Sequence, residues 1–322
     1  MIRRVQEEII QLIATSYDNI TGIVVLKDNK ITHENYFHEY NQNDTIHIAS
    51  VTKSILSILI GIAIDKGFIK SLDQNVLDFF PDYQVKRREQ VIQKVTVRHL
   101  LTMTAPYKFQ SEPYTQVYSS EDWTKEVLDL LGGKDLNENF KYTTIGLQVL
   151  SGILINTTGH SVLNFANENL FKPLGIKKPN NLRIHNKQEH FDFLKGRHVN
   201  GWIMDPIGTN TAGWGLTLTT RDLAKIGQLY LNKGKWNNQQ ILSSKWVEDS
   251  TKAHSNYGEL SYGYLWWIID DQKNNCFAAI GDGGNIIYVD PDMKTVIAIT
   301  SLFMPRAKDR ITFIRKHILP LL

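Results

Sequence analysis

The spacing of apolar and polar positions changes period along the 322 residues, and the changes mark out the elements. Residues 1–13 carry charges followed by apolar positions at helical spacing, which predicts an amphipathic helix. Residues 20–26 and 31–37 are β-rich runs. The cluster Lys27-Asp28-Asn29-Lys30 between them predicts the turn of an antiparallel hairpin, whose strands are expected to floor the site described below. Residues 54–64 are apolar on nearly every side, the mark of a helix enclosed by protein, and Asp65-Lys66-Gly67 closes it with Gly67 suited to the left-handed C′ position.

From Ser71 to Trp214 the pattern is mostly helical segments and loops. Helices are predicted at 97–101, 123–128 and 143–155, the last ended by Gly159, with a polar and aromatic loop at 106–118 that reads either as ordinary surface aromatic packing or as an overhang to a cleft. Residues 220–227 begin another amphipathic helix with Thr220 as its N-cap. Strand-like runs return at 264–269, 276–280, 286–289 and 296–300, spaced by turn residues such as Asp290-Pro291-Asp292, and 306–322 reads as a closing helix ended near Pro320. Strands at both ends and helices between them imply an α+β fold: an antiparallel sheet formed from both chain ends and flanked by helices. Residues 1–70 and 215–322 are expected to form a discontinuous sheet domain, and 71–214 a mostly helical insert.

Composition narrows the function. Thirty-six basic and 33 acidic residues leave a net charge of +3 with no long basic block, so no nucleic-acid partner is expected. The single cysteine, Cys276, excludes an intrachain disulfide and a cysteine-cluster metal site, and it is expected to be a buried strand residue. The N-terminus lacks a continuous apolar core and cleavage site, and residues 55–64 are too few to span a bilayer, which takes about 20 apolar residues. The expectation is a cytoplasmic protein with no membrane association, no cofactor and no metal, in an oligomeric state the sequence leaves open. His185 and His190 flank Glu189 at a spacing other than H-E-x-x-H and read as surface, and His47 as a structural strand residue.

The chemistry concentrates at Ser50-Val51-Thr52-Lys53, just ahead of the enclosed helix. Residues three apart share a helix face, so hydroxyl and amine meet. A serine hydroxyl is a weak nucleophile until a neighbouring base takes its proton, and an amine does so when its surroundings disfavour the ammonium form, as an enclosed helix does. The helix N-terminus also offers free N–H groups and positive partial charge where an oxyanion needs them. No G-x-S-x-G elbow occurs, which argues against an α/β-hydrolase.

Further segments extend this pattern in order: Val97-Arg98-His99-Leu100-Leu101-Thr102-Met103-Thr104, Phe140-Lys141-Tyr142-Thr143-Thr144, Pro173-Leu174-Gly175, Ala212-Gly213-Trp214-Gly215-Leu216, Tyr262-Gly263-Tyr264-Leu265-Trp266-Trp267 and Gly281-Asp282-Gly283-Gly284-Asn285. With these, nearly the whole chain resembles the serine beta-lactamase and penicillin-binding-protein superfamily. The similar branch is that of class C beta-lactamases, their related esterases and 6-aminohexanoate-dimer hydrolases. The resemblance implies a beta-lactamase-like fold and a serine hydrolase that cleaves a small-molecule ester or amide through a Ser50 acyl-enzyme. Lys53 and Tyr142 would be the proton-transfer pair, Tyr142 matching the tyrosine of a Y-x-N motif whose third position is Thr144 here. The third motif would be Asp282-Gly283-Gly284, with the backbone N–H groups of Ser50 and Asn285 as the oxyanion hole and Trp214 lining the pocket.

Two departures bear on the substrate. Thr144 lacks the amide fork of Asn, and Asp282 opposes the charge with which family members hold a carboxylate, so an uncharged ester, an amide or an amine-bearing substrate is expected. Competing expectations are a catalytically weak ligand-binding or sensor protein on the same fold, and a beta-lactamase or D-Ala-D-Ala carboxypeptidase.

Overall fold

The computed structural model describes residues 2–137, 139–196, 199–269 and 275–322. Both ends of the chain meet in one antiparallel sheet. Strands β1 (Ile20–Lys27) and β2 (Lys30–Tyr36) form the expected hairpin, and Asp28 and Asn29 both take positive φ, 48° and 65°, as a two-residue turn between twisted strands requires. The later strands are β3 (Ser255–Tyr257), β4 (Leu260–Tyr262), β5 (Trp267–Ile268), β6 (Phe277–Gly281), β7 (Asn285–Asp290) and β8 (Thr295–Ser301). Among the described residues the order across the sheet is β2-β1-β8-β7-β6-β5-β4-β3, so the N-terminal hairpin docks on the last strand.

Period-two alternation gives the sheet two buried faces. Ile286, Tyr288, Ile297 and Ile299 face one way, onto helix α1 (Ile2–Ser16) through Ile13 and onto the C-terminal helix through Phe313, Ile314 and Ile318. Ile287, Val289, Val296 and Ala298 face the other way, into the larger core. That core holds helices α2 (Val51–Asp65), α3 (Gln148–Thr158) and α4 (Thr220–Leu231), and it runs without a break from Val24 to Ala298. Every residue of α2 from Val51 to Ala63 is buried, as its all-round apolar sequence predicts. Each buried Ile or Leu there contributes roughly 1.5–3 kcal/mol of transfer free energy. That helix is the fixed post on which the site is mounted.

Several boundaries move. Gly67 and Gly159 take left-handed φ (78° and 69°) just past α2 and α3, as expected. The cap of α4 is Thr219, one residue before the expected Thr220: its hydroxyl accepts from Asp222 N–H while the Asp222 carboxylate accepts from Thr219 N–H. The expected strand at 264–269 shrinks to β5 because Leu265 sits at φ 62°, and the β3–β4 hairpin before it had no clear alternation in sequence. The closing helix starts later, at α5 (Arg310–Phe313), where Asp309 accepts from the N–H groups of Ile311 and Thr312. The β1–β2 hairpin does not floor the site: it lies toward the far edge, and the end of β6 lies against the start of α2 instead.

Candidate active site

Ala49, at a left-handed φ of 48°, turns the chain sharply so that Ser50 heads α2. Ser50 makes no side-chain cap bond; its hydroxyl meets Lys53 instead, with Nζ 2.8 Å from Oγ. Lys53 is only 1% exposed. Its Nζ also reaches Gly213 C=O at 3.0 Å and Thr144 Oγ1 at 3.1 Å. Three partners fill the three free tetrahedral positions of the nitrogen. In the neutral amine two N–H groups satisfy Gly213 and Thr144, and the lone pair is left for the Ser50 proton.

The Tyr142 segment closes over this pair. The Tyr142 ring faces Lys53 Nζ at 4.8 Å from its centroid and stacks on Trp267, 5.9 Å between centroids. Tyr142 therefore meets Lys53 through its ring face, and Thr144, though it lacks the amide fork of Asn, bonds Lys53 through its hydroxyl. Gly213 has to lack a side chain, because a Cβ there would fall 2.5 Å from Thr144 C=O. Glu112, from the overhanging loop, locks the segment: one oxygen accepts from Thr143 Oγ1 (2.5 Å), Thr144 N–H (2.7 Å) and Ile145 N–H (2.8 Å). Its other oxygen accepts from the Tyr114 hydroxyl, and burial together with that carboxylate pushes Tyr114 well above the ordinary tyrosine range.

Trp214 follows the Lys53 anchor directly and donates from Nε1 to the Tyr118 hydroxyl at 2.7 Å. It stands edge-on to His47 and to His190 (5.8 and 5.4 Å between centroids), so His190 is half-buried against this wall and not on the open surface. His47 is buried, as expected of a structural residue, and accepts from Gly215 N–H at 3.1 Å. Burial, with the neighbouring His190 adding, holds its ring down to about 3, so it stays neutral.

The third segment departs from expectation. Ile269 N–H donates to Cys276 C=O, so even-numbered residues of β6 turn their amides toward β5 and odd-numbered ones toward β7. Asn285 stands opposite Gly281, an odd position, so its N–H points into the β6–β7 ladder and away from the cleft. Its side chain is buried as well, donating to Asp282 C=O at 2.9 Å and accepting from Ser301 N–H. The strand residue beside Ser50 is Gly281, where a Cβ would lie 3.0 Å from Ser50 N and 2.5 Å from Ile48 C=O. Pairing with β5 stops at Ala278, which leaves the β6 edge open toward the exposed Asp282. Gly283 and Gly284 take φ of 80° and 91° and close the turn to β7.

Glu112, Gly213, Asn19 and Arg310 were not singled out by sequence. Glu112 lay in a loop marked only as an overhang, and Gly213 inside a segment noted for Trp214. Among the described residues no group of three or more His, Cys, Asp or Glu is arranged to hold a metal, and no helix is long and apolar enough to cross a membrane.

The geometry agrees with comparisons to known proteins. The family model described as Beta-lactamase matches residues 10–317. The chain is 24% identical to the 6-aminohexanoate-dimer hydrolase of Paenarthrobacter ureafaciens over 302 residues, 86% of this chain and 71% of that one. In fold it is similar to a class C beta-lactamase (TM-score 0.71, 16% identity, 96% of this chain and 92% of the other). It is also similar to a family VIII carboxylesterase (TM-score 0.73, 13% identity, 99% and 97%). With a match over nearly its whole length, the chain belongs to the Beta-lactamase family, and its named relatives are hydrolases.

Proposed function

We propose that the protein is a serine hydrolase that cleaves a small ester or amide through an acyl-enzyme on Ser50. The observation that carries this is the buried Lys53 nitrogen 2.8 Å from Ser50 Oγ, with its other two positions taken by Gly213 and Thr144. Neutral Lys53 takes the Ser50 proton as Oγ attacks the carbonyl carbon. The oxyanion is held by the Ser50 N–H at the head of α2 and by the N–H of Asp282 on the open edge of β6, in place of Asn285. Lys53, now an ammonium under the Tyr142 ring, passes a proton to the Tyr142 oxygen as the Tyr142 hydroxyl proton goes to the departing oxygen or nitrogen. In the free protein Lys53 Nζ faces the Tyr142 ring and not its oxygen, so this transfer requires the Tyr142 hydroxyl to turn toward Nζ when substrate arrives. Lys53, neutral again, takes a proton from the water that attacks the acyl carbon and returns it to Ser50 Oγ as the bond from Oγ to the acyl group breaks.

Asp282 sets the charge preference. An exposed carboxylate beside the oxyanion hole repels a substrate carboxylate, which favours neutral or amine-bearing substrates over penicillin-like acids. A fluorophosphonate probe should label wild type and not Ser50→Ala, and p-nitrophenyl ester turnover should vanish with the label. Equal labelling of both proteins would exclude the mechanism, and rapid nitrocefin hydrolysis would overturn the charge preference.

A further inference from the structure

The turn that carries Asp282 is backed by a buried cation from the other end of the chain. Arg310, at the start of α5, is 3% exposed. Its Nη2 donates to Asn19 Oδ1 at 2.6 Å, Gly283 C=O at 3.2 Å and Ser301 Oγ at 3.4 Å, and its Nη1 to Lys308 C=O at 2.8 Å. Asn19 completes a clamp by donating from Nδ2 to the same Gly283 C=O at 2.6 Å and to Leu302 C=O at 2.8 Å. The Tyr17 ring lies 5.1 Å from the guanidinium carbon to its centroid, and the Asp309 carboxylate favours the cation through space. Among the described residues these four acceptors of the guanidinium are all neutral, and its Nε has no hydrogen-bond partner. The guanidinium fits there only because Gly284 is bare: a Cβ would stand 2.5 Å from Nε.

A buried cation whose hydrogen bonds all go to neutral oxygens, with only the through-space charge of Asp309 to offset it, is expensive, and a structural plug of this shape would be cheaper as an apolar side chain. Its position explains its retention. The Asp282-Gly283-Gly284 turn supplies one wall of the oxyanion hole proposed above, and a fixed, buried positive charge bonded to that turn favours the negative charge that develops on the substrate oxygen.

We propose that Arg310, held by Asn19, is a positioning residue for acyl transfer: it fixes the Gly283 peptide, and so the β6 edge, and its charge lowers the barrier to the tetrahedral intermediate. This rests on the Ser50 acyl-enzyme proposed above. Burial pulls the guanidinium down to about 10, and it remains charged at neutral pH.

The test compares Arg310→Lys, which keeps a charge, with Arg310→Gln, which keeps donors without one. The measurements are the acylation rate with p-nitrophenyl acetate, inhibition by a phenylboronic acid that forms a tetrahedral anion on the serine, and thermal melting. Arg310→Gln should acylate on the order of tenfold slower, less than the 10²–10³ lost with a direct oxyanion donor, since Arg310 acts through the Gly283 carbonyl, two peptides along from the Asp282 N–H. Its boronic-acid affinity should fall in parallel while KM stays near wild type. Arg310→Lys should recover most of both, even where the two variants melt at the same lowered temperature. Equal loss in the two variants, or wild-type rates in Arg310→Gln, would overturn the proposal. Ser50→Ala run alongside separates the causes: if it is inactive while Arg310→Gln is normal, only the role of Arg310 fails, and if both turn over normally the acyl-enzyme fails too.

Discussion

Replacing Tyr142 by Phe removes one oxygen and leaves the ring that covers Lys53. The ring and the oxygen have separable jobs, and the structure sets the size of each. The ring lies 4.8 Å from a lysine nitrogen that is almost fully desolvated, where a cation–π contact is worth about 1–2 kcal/mol to the ammonium formed as Ser50 is deprotonated. That amounts to roughly 5- to 30-fold in rate, lost in Tyr142→Ala and kept in Tyr142→Phe. The oxygen matters only when the leaving group needs a proton. A p-nitrophenolate departs as an anion, whereas an alkoxide or an amine anion does not, and a positioned acid contributes about 10²–10⁴ there. Tyr142→Phe should therefore acylate with a p-nitrophenyl ester within about threefold of wild type, and lose about 10²-fold or more with an alkyl ester or anilide of the same acyl group. Tyr142→Ala should lose the further 5- to 30-fold on both substrates. Stopped-flow release of nitrophenolate, beside product analysis for the alkyl ester, reads the two rates. Equal losses on both substrates, or an unimpaired alkyl ester reaction in Tyr142→Phe, would refute the assignment of the leaving-group proton to this hydroxyl.

Three other perturbations probe the same framework. Gly281→Ala puts a methyl 2.5 Å from Ile48 C=O and 3.0 Å from Ser50 N, so it should lower acylation by about 10²-fold by displacing one oxyanion donor; a rate within threefold of wild type would show that β6 does not border the hole. His47 is neutral down to about pH 3 in the folded protein, while an unfolded histidine protonates near 6.5, so the unfolded chain binds more protons and stability falls as pH drops through that window, by about 3 kcal/mol between pH 6.5 and 4. His47→Gln should flatten the decline of melting temperature from pH 7 to 4, and an unchanged slope would contradict this. Glu112→Gln weakens three bonds to the 143–145 turn and should destabilise the protein by about 1–3 kcal/mol in urea titrations, with a fall in kcat as Thr144 loosens from Lys53; wild-type values for both would remove Glu112 from the site.

What the sequence reveals follows from how local each cause is. The Ser50–Lys53 pair is legible because helix periodicity alone brings residues three apart together, and the enclosure of Lys53 because α2 is apolar all round. The β1–β2 turn and the glycines after α2 and α3 are legible for the same reason: each answers to a backbone conformation set within a few residues. That the Asn285 amide faces the ladder and not the cleft is a question of parity. A motif gives residue types, but whether an amide faces the cleft or the ladder depends on which of two alternating positions pairs with β7, and the Asp282–Gly284 turn is too short to read that register from composition. The contacts that brace the site are the least legible. Glu112 meets Thr144 across 32 positions, Lys53 meets Gly213 across 160, and Asn19 meets Gly283 across 264. No periodicity links such pairs; each exists only in the folded chain, and the last only because the sheet joins its two ends. A residue such as Arg310 thus looks like an ordinary basic side chain on a C-terminal helix until the fold places it behind a glycine turn. There, what distinguishes it is that its hydrogen bonds go to neutral oxygens and its Nε has no partner, a property of its surroundings that its own sequence neighbours do not foretell.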